Sequence, residues 1–241
     1  MRDLFREGLA SGWKHIDASD LTADARYEAD VAIIGSGAGG GVTAEILAQA
    51  GLKVIIVEEG PLRTTGDFQM READAYPSLY QESAARKTAD KAVNILQGRC
   101  VGGSTTVNWT SSFRTPPDTL RWWQSAHGLQ SLSVDAMAPW FARMEKRLHV
   151  GLWPIPPNEN NAMLARGAEK LNIPVAVIPR NVKQCWNLGY CGMGCPTNAK
   201  QSMLLTTLPA ALDLGATLIS RLRAERLEFD GRRASRLIAS A

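Results

Sequence analysis

Histidine and cysteine are scarce in this sequence, which narrows the chemistry open to it. Only His15, His127 and His149 are present in 241 residues, and all three read as surface or structural residues. Of four cysteines, Cys185, Cys191 and Cys195 fall within eleven residues, while Cys100 stands alone. So tight a group points to metal or cluster ligation rather than to a disulfide framework. No apolar run approaches the roughly 18 residues that a membrane-crossing helix needs. The first thirty residues carry Arg2, Asp3, Arg6, Glu7, Lys14 and Asp17 and lack the apolar core of a signal peptide, so a cytoplasmic address is expected. A long basic run is also missing. The net charge of +3 is spread along the chain, which argues against nucleic acid as a partner. Internal repeats and low-complexity tracts are absent too.

What is present is an ordinary globular composition, 45% hydrophobic and 21% charged, in a length suited to one large domain or one and a half smaller ones. Val31-Ala32-Ile33-Ile34 is a short apolar run of the kind buried on both faces of a parallel sheet. Glycines follow from Gly35 to Gly41, then good helix formers from Val42 to Ala50, closed by Gly51. Val54-Ile55-Ile56-Val57 is a second buried strand. Strand, glycine turn, helix and strand in this order make a βαβ unit with a right-handed crossover. Further along, Gln81 to Val93 has helical spacing, and Pro116-Pro117-Asp118 marks a helix start with Asp118 as N-cap. Residues 133–149 form an amphipathic helix whose stripe of Met137, Trp140, Phe141, Met144 and Leu148 is expected in the core. A linker at 153–161 leads to a helix over 162–171 and a second near 204–214. Strands at 217–220 and 227–229 follow, the latter in a hairpin with 234–241.

Gly35, Gly37 and Gly40 occupy the G-x-G-x-x-G positions. The first permits a tight turn, the second lets the backbone approach a pyrophosphate, and the third lets helix and strand pack closely. The helix N-terminus supplies free N–H groups and the positive dipole end. Glu58 ends the second strand 23 positions after Gly35, where an acid takes the adenosine ribose hydroxyls. Glu59 is the rival carboxylate. Glu58 is preferred because it follows the strand directly.

A second glycine-rich segment, Gly98-Arg99-Cys100-Val101-Gly102-Gly103-Ser104-Thr105-Thr106-Val107-Asn108, resembles the signature of glucose–methanol–choline oxidoreductases. Glu58-Glu59-Gly60-Pro61 is similar to that family's acid-x-Gly after its second strand. The resemblance covers residues 30 to 241 and implies FAD rather than NAD(P), which would leave the second segment without a task. It implies flavin-side contacts from Gly102, Gly103, Ser104 and Asn108. Arg99 would brace the phosphates or else serve as a structural ion pair. Ala224, in a run similar to the family's late adenine-contacting strand, would meet adenine; a plain exposed hairpin would look the same. In some relatives a histidine preceding the asparagine binds FAD covalently. Val107 stands there, so non-covalent FAD is expected.

Members of this family are considerably longer, and their catalytic histidine lies near the far carboxyl end. No catalytic residue is therefore assigned in this chain, and those residues are expected beyond Ala241. Cys185-x5-Cys191-x3-Cys195 resembles the trio holding a three-iron cluster in the large subunits of bacterial FAD-dependent sugar and gluconate dehydrogenases. Thiolates are the ligands iron–sulfur clusters require. Long-chain alcohol oxidases offer a competing likeness, a cysteine-rich segment followed by a pair like Lys200-Gln201. A cluster, unligated thiols and zinc all stay open.

The expected fold is α/β: a Rossmann-like FAD-binding domain on a parallel sheet, incomplete, with the start of a substrate or cap region. Its expected parts are an N-terminal extension (1–30), the FAD-binding core (31–115), a helical cap region of the substrate domain (116–180), and a cysteine-rich loop returning to the FAD-binding domain (181–241). The function this implies is an FAD-dependent oxidoreductase acting on the CH–OH group of an alcohol, polyol or sugar, with an electron-acceptor protein as a further partner. The alternative is a non-catalytic fragment that binds FAD or metal.

Overall fold

The computed structural model describes residues 1–241. Its helices are α1 (Leu4–Ala10), α2 (Ala38–Gln49), α3 (Glu72–Leu79), α4 (Pro117–His127), α5 (Val134–Arg147), α6 (Glu159–Lys170) and α7 (Thr207–Asp213). Its strands are β1 (Lys14–Asp17), β2 (Val31–Ile34), β3 (Val54–Val57), β4 (Val150–Gly151), β5 (Arg180–Asn181), β6 (Thr217–Ser220), β7 (Arg223–Asp230) and β8 (Arg233–Ser240). The chain divides into two compact units, one of residues 1–109 with 183–241, the other of residues 110–182.

In the first unit a four-stranded sheet runs in the order β1-β6-β3-β2, every neighbouring pair parallel. Val31 pairs with Val54 and Ile34 with Val57, so β2 and β3 run in step with α2 between them. All four residues of β3 are buried, as a central parallel strand requires. Ile55 and Val57 join Ile219 and Ala18 in a cluster that Leu237 and Ala239 of β8 also pack against. Side-chain alternation puts Val54, Ile56 and Leu218 on the opposite face. There α2 and α7 lie together, contributing the buried Ala44, Ala48, Leu208, Ala211 and Leu212. Close approach of these helices depends on Gly41, where a Cβ would stand 2.7 Å from the Thr207 hydroxyl.

Residues 1–30, expected as an extension, are built into this unit. β1 pairs with β6 as an edge strand, and Phe5 of α1 is 1% exposed. The strand is short and polar, Lys-His-Ile-Asp, because only part of it is covered. Gln81–Val93 is no helix. Its first residues form a 3-10 turn with Glu82 and Ser83 in the left-handed region, and an antiparallel bridge then joins Lys87 to Asn94.

In the second unit α4 begins at Pro117, with Pro116 as the flanking residue. Asp118 lies inside the first turn rather than at the N-cap, because a proline is pre-organised for the first helical position. α5 forms as its spacing predicts and is capped by Ser133, yet none of its residues is fully buried and Trp140 is 57% exposed. The large residues of its stripe are therefore not core residues in this chain. Arg114 holds Glu145 of α5 through two hydrogen bonds of 2.6 Å. No helix in either unit is long and apolar enough to cross a membrane.

Where β1 meets β6, the His15 ring nitrogen Nε2 lies 2.9 Å from the Ser220 hydroxyl. Burial holds this imidazole below its ordinary value of 6.5, against the opposing pull of Asp17 and Asp20. The unfolded chain therefore takes up the proton first as pH falls. His15 contributes its full stability above 6.5 and loses it as pH drops below that value. Asp3 and Asp17, whose carboxyls sit below the ordinary 3.8, lose their contribution only in a far more acidic window. The melting temperature should thus fall between about pH 7 and pH 5, and His15→Gln should flatten that decline. Thermal melts of both proteins across this range check it.

Candidate functional site

The cleft that matters opens at the carboxyl ends of β2, β3 and β6, where parallel α/β sheets place their ligands. It has a volume of about 420 Å³. Ile34, Gly35, Gly37 and Ala38 form one wall, Glu58 and Glu59 the floor, Gly98, Arg99 and Gly103–Thr105 the opposite wall, and Leu222 with Ala224 one end. Of the ten cofactor residues expected from sequence, Gly35, Gly37, Glu58, Arg99, Gly103, Ser104 and Ala224 line this space.

The other three act from behind. A Cβ on Gly40 would overlap the Gly35 carbonyl oxygen, so this glycine is what lets α2 start directly against the turn. Gly102 adopts the left-handed φ of 89° that launches the 3-10 turn Gly103–Thr106. The Asn108 carbonyl accepts from the Lys200 ammonium at 2.6 Å, which ties the end of this segment down.

Glu58 binds the two glycine-rich segments together. Its buried carboxylate accepts from the Ser36 N–H at 2.9 Å, the Ser36 hydroxyl at 2.6 Å and the Gly60 N–H at 2.8 Å. The Ser36 oxygen in turn accepts from the Gly102 N–H at 2.9 Å. A carboxylate has roughly four acceptor positions, so Glu58 retains capacity for a donor in the cleft. Glu59, which also lines the cleft, pairs with Arg99 at 2.8 Å. Arg99 is therefore an ion-pair residue that also lines the cleft.

These walls suit a dinucleotide. Gly37 is the N-cap of α2 and makes no side-chain cap, so the first-turn N–H groups face the cleft without one. A Cβ there would meet only the Gly103 Cα, at 3.7 Å. On Gly103 itself a Cβ would stand 2.8 Å from the Gly37 Cα. The close approach of the two main chains thus requires glycine at 103, while a methyl on Gly37 would meet only ordinary contact and would project into the space between them.

No group of three or more His, Cys, Asp or Glu side chains is disposed to hold a metal ion in this structure, Cys185, Cys191 and Cys195 included. All four thiols are free of disulfides. The Cys185 sulfur accepts from the Asn187 N–H at 3.3 Å. Burial pushes the Cys195 thiol up, but hydrogen bonds from the Thr197 hydroxyl and the N–H groups of Lys200, Thr197 and Ala199 outweigh it and hold it below its ordinary value. Cys100 is fully buried, and burial together with the Glu58 charge pushes it up to about 12, which leaves it an inert small hydrophobe. Sequence reasoning passed over Ser36 and named Lys200 only as half of the Lys200-Gln201 pair, without its bonding role. The signal for Ser36 was a hydroxyl between two glycines opposite a strand-end acid. For Lys200 it was a lysine in an otherwise uncharged stretch.

The family described as GMC oxidoreductase matches residues 76–240. An uncharacterized GMC-type oxidoreductase of Sinorhizobium fredii, y4nJ, is 30% identical over 220 residues, which is 91% of this chain and 44% of that protein. Long-chain-alcohol oxidase FAO4B of Arabidopsis thaliana is 32% identical over 220 residues, 91% of this chain and 29% of that one. Among solved structures, pyridoxine 4-oxidase from Mesorbium loti superposes with a TM-score of 0.66 at 17% identity, over 88% of this chain and 46% of its own. The chain thus spans less than half the length of these relatives.

The two glycines of the first loop should separate in experiment. Gly40→Ala drives a methyl into the Gly35 carbonyl and should cost at least about 2 kcal/mol of stability. Gly37→Ala meets ordinary contact and should cost less than about 1 kcal/mol. Urea unfolding of the two variants beside the parent chain measures both.

Proposed function

Because this chain belongs to the GMC oxidoreductase family, we propose that it is the FAD-binding part of an oxidoreductase that acts on the CH–OH group of a small-molecule alcohol. The observation that carries this reading is the cleft between two glycine-rich loops, held in register by Ser36 and Glu58 at the carboxyl ends of a parallel sheet. The α2 N-terminus and the Gly37–Gly103 contact would hold the pyrophosphate, Glu58 the ribose, Ala224 and Leu222 the adenine end, and Ser104 and Thr105 the flavin side. Bound there, FAD would supply a hydride acceptor for the alcohol carbon. Val107 is aliphatic and 4% exposed, so it offers no covalent tether to the ring. The groups that take the alcohol proton are proposed to lie in the part of the family that this chain does not span. Residues 110–182 are proposed as the beginning of the substrate-side domain. Long-chain alcohols, the class in the name of the Arabidopsis relative, are the first substrates to try with the whole protein.

The test is cofactor binding by this chain, followed by flavin fluorescence and calorimetry. FAD should bind in the micromolar range or tighter, while FMN and NAD⁺ should bind at least about ten-fold more weakly. Gly37→Ala should weaken FAD at least about ten-fold by placing a methyl where the pyrophosphate lies. Equal binding of NAD⁺ and FAD, or no binding of FAD, would overturn the assignment.

A further inference from the structure

Five main-chain carbonyl groups from two irregular segments converge on two buried side chains that the reading above leaves without a role. Lys200 is 2% exposed. Its ammonium donates to the carbonyl oxygens of Thr106 at 2.8 Å, Asn108 at 2.6 Å and Cys191 at 2.6 Å. Tyr80 is 6% exposed. Its hydroxyl lies 2.6 Å from the Gly192 carbonyl oxygen and 3.4 Å from that of Val107. Burial, with smaller contributions from Tyr76 and Cys100, pushes the Tyr80 hydroxyl up to about 12, so it is a donor throughout the physiological range.

The need for such donors follows from the local backbone. The Gly103–Thr106 turn and the Cys191–Met193 turn are both single 3-10 turns. Their terminal carbonyls have no following helical turn to supply N–H groups. A buried carbonyl left unpaired is destabilising, because it loses water without gaining a donor. A lysine carries three donors on one nitrogen, enough to bind three carbonyls at once.

We propose that Lys200, assisted by Tyr80, is a positioning residue for the FAD cleft. It fastens Thr106–Asn108, which continues directly from the cleft wall Gly103–Thr105, to the Cys191–Gly192 loop. The cysteine-rich loop is then the fixed backing of that wall. Further bonds run the same way. The Thr105 hydroxyl donates to the Gly102 carbonyl and accepts from the Met203 N–H, three residues past Lys200. A Cβ on Gly192 would stand 3.3 Å from the Trp109 ring, so the loop lies hard against the end of the segment. As far as the cofactor is concerned, this inference rests on the FAD reading above.

The test compares the full chain with its Lys200→Met and Tyr80→Phe variants. A Leu208→Ala variant, altered in the α7–sheet core, serves as a control for general loss of stability. Amide hydrogen exchange of the FAD-free proteins comes first. Both variants should accelerate exchange in residues 103–109 and in 191–195 together, by about ten-fold or more for Lys200→Met, while β2, β3 and α2 keep their protection. With FAD, Lys200→Met should weaken binding by about ten-fold and change the visible circular dichroism of the bound flavin, an effect that Leu208→Ala should not produce. Tyr80→Phe removes one oxygen and should do the same to a smaller extent, which keeps the test open if Lys200→Met does not fold. Acceleration spread over the whole chain as in Leu208→Ala, or confined to one of the two segments, would refute the fastening. So would unchanged FAD affinity and dichroism in both variants. If the parent chain binds no FAD, the functional assignment fails. The fastening is then judged by exchange alone, supported by joint loss of protection and refuted without it.

Discussion

The carboxylate of Glu58 is the point from which the rest of the cleft is measured. It is 6% exposed, at the end of a strand buried on both faces, and its two oxygens accept three hydrogen bonds from Ser36 and Gly60. Water cannot solvate such a group fully, so those donors are what make its burial tolerable. They also fix geometry. Ser36 receives the Gly102 N–H while donating to Glu58, so the first loop cannot shift without breaking the second loop's only side-chain link to it in this chain of bonds. The main chain reinforces the arrangement. The Glu58 N–H donates to the Ile219 carbonyl, and its own carbonyl accepts from the Leu222 N–H. One residue thus registers β3, β6 and both glycine loops.

Much of this was legible because its causes are local. Apolar runs of four residues at 31–34 and 54–57, separated by a glycine turn and a helix-forming stretch, can bury themselves in few ways other than as neighbouring parallel strands. The glycine positions read correctly for the same reason. Gly40 is required by a carbonyl only five residues before it. What escaped was tertiary. β1 carries the sequence Lys-His-Ile-Asp and shows no strand signature, because an edge strand only partly covered needs none. The helical spacing of Gln81–Val93 was overruled by pairing with distant backbone, Tyr80 to Gly98 and Gln81 to Gln97. The α5 stripe was a sound signal for a helix and a poor one for burial, since amphipathicity states which face wants cover and not whether cover is there.

The cysteine spacing alone decides nothing about ligation, for a related reason. Spacing can bring ligands near one another along the chain, but convergence of sulfur atoms depends on how the loop folds. Glycines at 192 and 194 admit the Trp109 and Phe68 rings, and Cys195 is wrapped by N–H groups of its own loop. Small, weakly polar side chains suit such a place whether or not they hold anything.

The two halves of the cleft therefore satisfy their backbone by different means. On the β2–β3 side, most carbonyl and N–H groups are consumed in a parallel ladder and in α2, and the Glu58 carboxylate takes up the Ser36 and Gly60 N–H groups at the strand ends. On the Gly98–Asn108 side there is no ladder to join. The path needed to cradle a large ligand, with left-handed residues at Gly102 and Gly103, forbids regular structure. Side chains then take over the bonding that secondary structure performs elsewhere: Ser36 for the Gly102 N–H, Ser104 for the Gly98 N–H, Thr106 for the Val101 carbonyl, Lys200 and Tyr80 for the carbonyls that follow. No buried side-chain polar atom is left without a partner. A wall built in this way is as fixed as a strand, but each bond depends on one side chain. Its precision is therefore more easily lost to single substitutions than that of the sheet facing it.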